Sequence, residues 1–108
     1  MSNKSELFYH KVPSLLEKNA SLIEQISASY EFRLNSENQQ VWSLQLTNGK
    51  HFITPGTTGN AECIVEMNFE HFEQMINGNL DPKTAFITGK LKIEGNMGTA
   101  LNLETIFQ

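Results

Sequence analysis

Hydrophobic residues recur at every second position between residues 30 and 67, and at every third or fourth position on either side of that stretch. Tyr30, Phe32 and Leu34 alternate with Glu31 and Arg33. Trp42, Leu44 and Leu46 alternate with Ser43, Gln45 and Thr47, and Cys63, Val65 and Met67 alternate with polar neighbours such as Glu66. Successive side chains of a strand point to opposite faces, so each run reads as a half-buried strand. Asn48-Gly49 is the preferred pair for a two-residue hairpin turn, because both central residues need positive φ, and residues 50–54 form the returning strand. Turn residues at Asn35-Ser36-Glu37-Asn38 and Pro55-Gly56-Thr57-Thr58-Gly59-Asn60 separate the other runs. Four consecutive strands with short connections predict an antiparallel meander.

The flanks read as helices. Over residues 5–18, Phe8, Val12, Leu15 and Leu16 share one face; Pro13 has no N–H, so the helix either kinks there or begins its regular part there. Leu22, Ile23 and Ile26 add a short second helical segment. Phe69, Phe72, Met75 and Ile76 fall within about 120° of one helix, with Asn68 placed to cap it and Asn77-Gly78 to stop it. Asp81-Pro82 opens another short helix over residues 82–88, closed by Gly89, and Leu91 and Ile93 mark a short strand. Asn96 caps a last helix to about Phe107. There Met97, Ala100, Leu101, Leu103, Ile106 and Phe107 spread over roughly 220°, more apolar surface than one sheet contact uses. It is either a core helix or a lid facing a cavity.

The chain has 108 residues with 39% hydrophobic and 19% charged positions, which fits one ordinary α+β domain spanning 1–108. Eight Lys and Arg against twelve Asp and Glu give a net charge of -4, the wrong sign for a nucleic-acid partner, and the short apolar runs do not reach the ~20 residues of a transmembrane helix. The N-terminus lacks the continuous apolar stretch of a secretory signal, so the protein is expected to be cytoplasmic, and Asn3-Lys4-Ser5 and Asn19-Ala20-Ser21 then carry no glycan. The single cysteine, Cys63, reads as a small buried hydrophobe. Lys83, Lys90 and Lys92 give residues 82–108 a net charge of +1 (three Lys, two Glu). A solvated face is the ordinary explanation, with docking on a ligand head group or an anionic membrane the functional one.

No catalytic pattern emerges. Gly89-Lys90 lacks the glycine five residues earlier and the following Ser or Thr of a phosphate loop. His10, His51 and His71 have no metal-ligand spacing, no serine lies in a G-x-S-x-G elbow, and Glu70, Glu73 and Glu94 sit at segment ends or beside lysines. The expectation is a chain that is not an enzyme and uses no cofactor or metal.

The segment from Met67 reads MNFEHFEQMINGNLDPKTAFITGKLKIEGNMGTALNLETIF and resembles the sterol carrier protein-2, or non-specific lipid-transfer, domain family. The match rests on the helix ending in Gly78, on Leu80, Pro82 and Ala85-Phe86, on the run Gly89-Lys90-Leu91-Lys92-Ile93, and on Gly95, Met97 and Ala100 in order and spacing. Upstream it is looser, through Trp42, Leu44, Asn48-Gly49 and the Cys63 strand. The resemblance implies a five-stranded, mostly antiparallel sheet covered by helices, with an apolar tunnel closed by the C-terminal helix. It also implies non-catalytic binding or transfer of a fatty acid, fatty acyl-CoA, sterol or isoprenoid, with transient membrane contact. By position, the implied wall is Trp42 and Leu44 on a central strand, Phe72, Met75 and Ile76 on the covering helix, Phe86 after Pro82, and Met97, Leu101 and Phe107 on the closing helix. Two departures stand out: the chain ends Ile106-Phe107-Gln108 instead of an S-K-L-type tripeptide, and His71 stands where relatives commonly carry an acid. The alternative reading is a non-catalytic accessory module that docks on an enzyme of lipid or quinone biosynthesis.

Overall fold

The runs of period two become five strands in the computed structural model, which describes residues 6–35 and 40–107. Asn3-Lys4-Ser5, the turn residues 36–38 and Gln108 lie outside the described residues. The strands are β1 (Ala28–Asn35), β2 (Gln40–Thr47), β3 (Lys50–Pro55), β4 (Cys63–Asn68) and β5 (Leu91–Gly95), in the spatial order β3-β2-β1-β4-β5. Asn48 and Gly49 both take positive φ, 50° and 78°, as the β2–β3 hairpin requires. The helices are α1 (Val12–Lys18), α2 (Ala20–Ile23), α3 (Phe69–Ile76), α4 (Pro82–Ile87), α5 (Met97–Leu101) and α6 (Leu103–Ile106). The class is thus α+β with a mixed sheet, three pairs antiparallel and one parallel.

That parallel pair corrects the expected meander. β4 does not continue past β3; it crosses to the far side of β1, with Tyr30 opposite Cys63, Phe32 opposite Val65 and Leu34 opposite Met67. Burial decides the matter. Beside β1 the inward residues of β4 extend a row of fully buried side chains, whereas β3 carries no fully buried residue against which to pack them. The connection is short enough because Pro55 ends level with Phe32 and Cys63 starts level with Tyr30. Three strand spacings, roughly 14 Å, lie within the roughly 23 Å reach of seven extended residues.

Residues 56–62 therefore cross the face of the sheet opposite the helices. The Ser43 hydroxyl donates to the Gly56 carbonyl at 2.7 Å, the Ser29 hydroxyl to the Asn60 carbonyl at 3.2 Å, and the Thr57 hydroxyl to the Glu31 carboxylate. This explains why Glu31 and Ser43, on the polar side of their strands, are buried. The Thr57 hydroxyl holds the Glu31 carboxyl below its usual pKa, with burial opposing and the Arg33 guanidinium, 2.7 Å away, adding to the effect. A depressed carboxyl contributes stability above its unfolded pKa and loses it as pH falls through the folded value. Urea midpoints are expected to fall on acidification below about pH 4.5, and Glu31→Gln is expected to flatten that part of the profile and cost about 1–3 kcal/mol at neutral pH. An unchanged acid limb in Glu31→Gln would assign the dependence to other carboxylates.

The N-terminal segment solves its proline problem with a π-helical turn, Leu7–Lys11, in front of α1. The Val12 N–H donates to the Leu7 carbonyl, five residues back, and Pro13 follows within the first turn of α1, where its missing donor is not needed. Asp81 and Asn96 cap α4 and α5 by accepting from Thr84 N–H at 3.1 Å and Thr99 N–H at 3.0 Å. Asn68 occupies the cap position of α3 in extended conformation, but its side chain makes no cap bond. A single core runs between helices and sheet, with Phe8 stacked on Trp42 at 4.7 Å and on Phe72 at 5.2 Å.

Candidate functional site

The predicted last helix is interrupted at Asn102, giving α5 and α6, and its wide apolar arc serves two directions. Ala100, Leu103, Ile106 and Phe107 are buried against the sheet and α3, while Met97 and Leu101 are exposed. Two contacts fix its attitude. Phe107 meets Phe32 and Phe72 edge-on at 6.1 and 6.2 Å, and the Tyr30 hydroxyl donates to the Thr99 carbonyl at 2.6 Å. Burial of that phenol raises its pKa above the usual tyrosine value, so it remains a donor.

Across from Met97 and Leu101 stands α4. Its six residues leave room for one inward turn, taken by Pro82 and Ala85, so Phe86 and Ile87 remain outside. Between α4, β5 and the α5–α6 pair lies a groove of about 350 Å³. Its floor is Leu91 and Ile93 of β5 with Ala100 and Leu103, its rims are Phe86 and Ile87 on one side and Met97 and Leu101 on the other, and Lys83 and Glu104 bring the charges. An apolar groove with so little polar lining suits a ligand held by shape and burial.

Of the nine expected wall residues, Phe86, Met97 and Leu101 meet at this groove. Trp42, Leu44, Phe72, Met75, Ile76 and Phe107 are buried in the core behind it. Trp42 lies under Tyr9 in a separate shallow hollow with Pro55, and Leu44 borders another beside Phe52 and Thr54. Sequence reasoning passed over Ile87 and the β5 floor, and singled out Lys83 only for its charge, with Lys90 and Lys92. The available signal was the adjacent apolar pair Phe86-Ile87, since at about 100° per residue Ile87 lies about 140° or more round the helix from Pro82 and Ala85 on the inward side. Cys63 is buried at the start of β4, between β1 and β5, where burial pushes its thiol up to about 11.

Comparison with known proteins bears on this geometry. The profile of the SCP-2 sterol transfer family matches residues 11–108. Sterol carrier protein 2 of Homo sapiens is 28% identical over 107 residues, covering 95% of this chain and 20% of that protein. The chain spans about a fifth of the length of the curated sterol carrier proteins it matches. The solution structure of the sterol carrier protein domain 2 of Helicoverpa armigera superposes with a TM-score of 0.74 at 28% identity, over 99% of this chain and 91% of that one. Sterol carrier protein-2 of Aedes aegypti, solved in complex with the C16 fatty acid palmitate, shares the fold with a TM-score of 0.73 at 24% identity, over 99% and 96% of the two chains.

Proposed function

This chain belongs to the SCP-2 sterol transfer family, and we propose that it is a lipid-binding and lipid-transfer domain that admits one apolar ligand through the groove between α4, β5 and α5–α6. One observation carries the reading. Phe86, Ile87, Met97 and Leu101 stand 44%, 71%, 51% and 70% exposed around a single cleft with an apolar floor. Exposed apolar surface gathered at a concavity is stabilised when a ligand covers it. The palmitate complex of the Aedes aegypti protein supports a fatty acid as the first ligand, with fatty acyl-CoA, sterol and isoprenoid as further members of the class.

The groove lies at the small end of the roughly 300–1,000 Å³ common for ligand clefts, so a long chain enters only as the wall gives way. In this reading Phe86, Met97 and Leu101 touch the ligand first. Its tail then advances past Leu103 among Phe72, Met75, Ile76 and Phe107, toward Trp42 and Leu44, with α5–α6 as the closing lid. Burying about fifteen methylenes gains roughly 12 kcal/mol relative to water, and association costs of about 4–15 kcal/mol leave modest affinity. Walls that select by shape give broad selectivity. The role is binding without covalent chemistry: the Cys63 thiol is buried and its pKa raised to about 11, the reverse of an activated nucleophile. We place the protein in the cytoplasm, in passing contact with membranes. The accessory-module reading is favoured by one fact, that the matching region is a fifth of much longer relatives.

Native mass spectrometry of the purified protein is expected to show one bound lipid near unit occupancy. Leu101→Asp is expected to weaken uptake of a fluorescent fatty acid at least about ten-fold while circular dichroism stays unchanged, because Leu101 is exposed. An empty protein that accepts no added lipid would sink the lipid reading and turn attention to a protein partner.

A further inference from the structure

We propose that a second, polar hollow of about 220 Å³, on the other side of β5 from the groove, binds a phosphate monoester. The proposal does not depend on the lipid-holding reading. The hollow lies where the parallel strands β1 and β4 end side by side, Asn35 opposite Asn68, and where α3 begins. Lys92 of β5 and Lys90, in the turn before that strand, complete it. Alternation keeps the two sites apart, because Leu91 and Ile93 line the groove whereas Lys90 and Lys92 line the hollow.

Three features give the hollow the chemistry of an oxyanion site. Lys90 and Lys92 make no ion pair among the described residues, although Lys92 stands opposite Glu66 in the β4–β5 register. His71, in the first turn of α3, lines the hollow, and its Nδ1 is buried without a hydrogen-bond partner among the described residues. A buried polar atom left unpaired carries a desolvation cost that a ligand oxygen offsets. Asn68, which lines the hollow at the cap position of α3, makes no cap bond, so the positive end of the helix is not neutralised by its own cap. Glu66 is the opposing charge in the lining, and two lysines against one carboxylate leave +1. Glu66 also faces Arg33 of β1 in register, so its charge is shared with a cation outside the hollow. Glu70, the acid of the same first turn, is not among the residues that line the hollow. A phosphate monoester suits this set because it brings about -1.5 to -2 charges and three acceptor oxygens to two ammonium groups and an imidazole.

Backbone amide shifts in nitrogen-15 spectra test the site residue by residue. Glycerol 3-phosphate, titrated at constant ionic strength against chloride, is expected to give saturable shifts at Asn68, His71 and residues 89–92. Lys90→Gln and Lys92→Gln alter exposed side chains and are each expected to weaken binding about ten-fold. Glu66→Gln is expected to tighten it about three-fold by removing the opposing charge. Lys50→Gln, on β3 at the far edge of the sheet, is expected to change nothing. Dodecyl phosphate separates two sources of the same chemistry. Affinity equal to that of glycerol 3-phosphate would support a free ester, and much tighter binding that also displaces a fluorescent fatty acid would support the head group of a lipid whose tail reaches the groove. Shifts that rise linearly, spread evenly over the surface lysines or survive both lysine substitutions would overturn the phosphate site and leave the lipid reading untouched. Failure of fatty-acid uptake with saturable phosphate shifts intact would remove the lipid reading alone.

Discussion

Phe8→Ala is expected to destabilise the protein by about 3–5 kcal/mol and to lower its melting temperature by more than about 10 °C. The ring is fully buried at the π-helical turn and joins three aromatic partners on three separate elements. It stacks on Trp42 of β2 at 4.7 Å and on Phe72 of α3 at 5.2 Å, and tilts against Phe32 of β1 at 5.9 Å. Truncation leaves a void between elements that are each tied to the rest of the fold, so the cavity cannot readily collapse. The effect should reach the groove as well, because Phe72 carries the edge-on contact to Phe107 that seats the end of α6. Tyr9→Ala is the matched control. Its ring is half exposed and touches Trp42 at 5.3 Å, edge-on, and its loss should cost below about 1 kcal/mol. Urea unfolding monitored by Trp42 fluorescence measures both. Near-equal midpoints would mean that the π-helical turn is not seated on the sheet in solution.

The same residues show how far a sequence can be read. The strands and helices that were legible owe it to strict alternation or to a clear amphipathic arc, and to turn chemistry such as Asn48-Gly49, Asp81-Pro82 and Gly78, whose φ of 81° ends α3 as expected. What stayed hidden is which strands are neighbours. Cys63, Val65 and Met67 would alternate identically beside β3 or beside β1, and the choice is made by burial under the helices and by the reach of residues 56–62. The local pattern carries neither. Burial of Glu31 and Ser43 was hidden for the same reason, since it depends on a loop arriving from a distant strand.

The site divides similarly. Excess apolar surface on the last helix was visible as an arc too wide for one contact, and the structure resolves it into an inward side with Leu103, Ile106 and Phe107 and a groove side with Met97 and Leu101. The facing rim was less visible because α4 has too few residues for a period to declare itself, so Ile87 drew no notice beside Phe86. Residues on β2 and α3 face inward by the same alternation whether they pack or line a wall. Sequence alone cannot separate those two uses of an apolar side chain.

Gly95→Ala is expected to cost about 2–4 kcal/mol and, unlike an ordinary destabilising change, to impair lipid uptake in the protein that remains folded. Gly95 ends β5 at φ 103°, a conformation that L side chains rarely adopt. A Cβ there would lie 2.4 Å from the Glu62 carbonyl oxygen and 3.4 Å from the Cys63 Cα, both backbone atoms of the neighbouring strand and its approach. No rotamer change relieves that overlap; β5 must move away from β4 or the turn must open. The next residue carries the consequence forward. Asn96 N–H donates to the same Glu62 carbonyl at 2.9 Å, and the Asn96 side chain caps α5. Displacing it slackens the hydrogen bond between Tyr30 and Thr99 that holds α5 on the sheet, and with it the wall that carries Met97 and Leu101. Gly59→Ala separates strain from this linkage, because Gly59 has φ 77° but nothing within 4 Å of an added Cβ, and it sits on the loop across the other face. It should cost about 1 kcal/mol and leave uptake intact. Denaturant midpoints and fluorescent fatty-acid titrations on the two variants, at a temperature where both are folded, decide the point. Equal uptake would mean that the groove wall does not depend on how β5 hands the chain to α5.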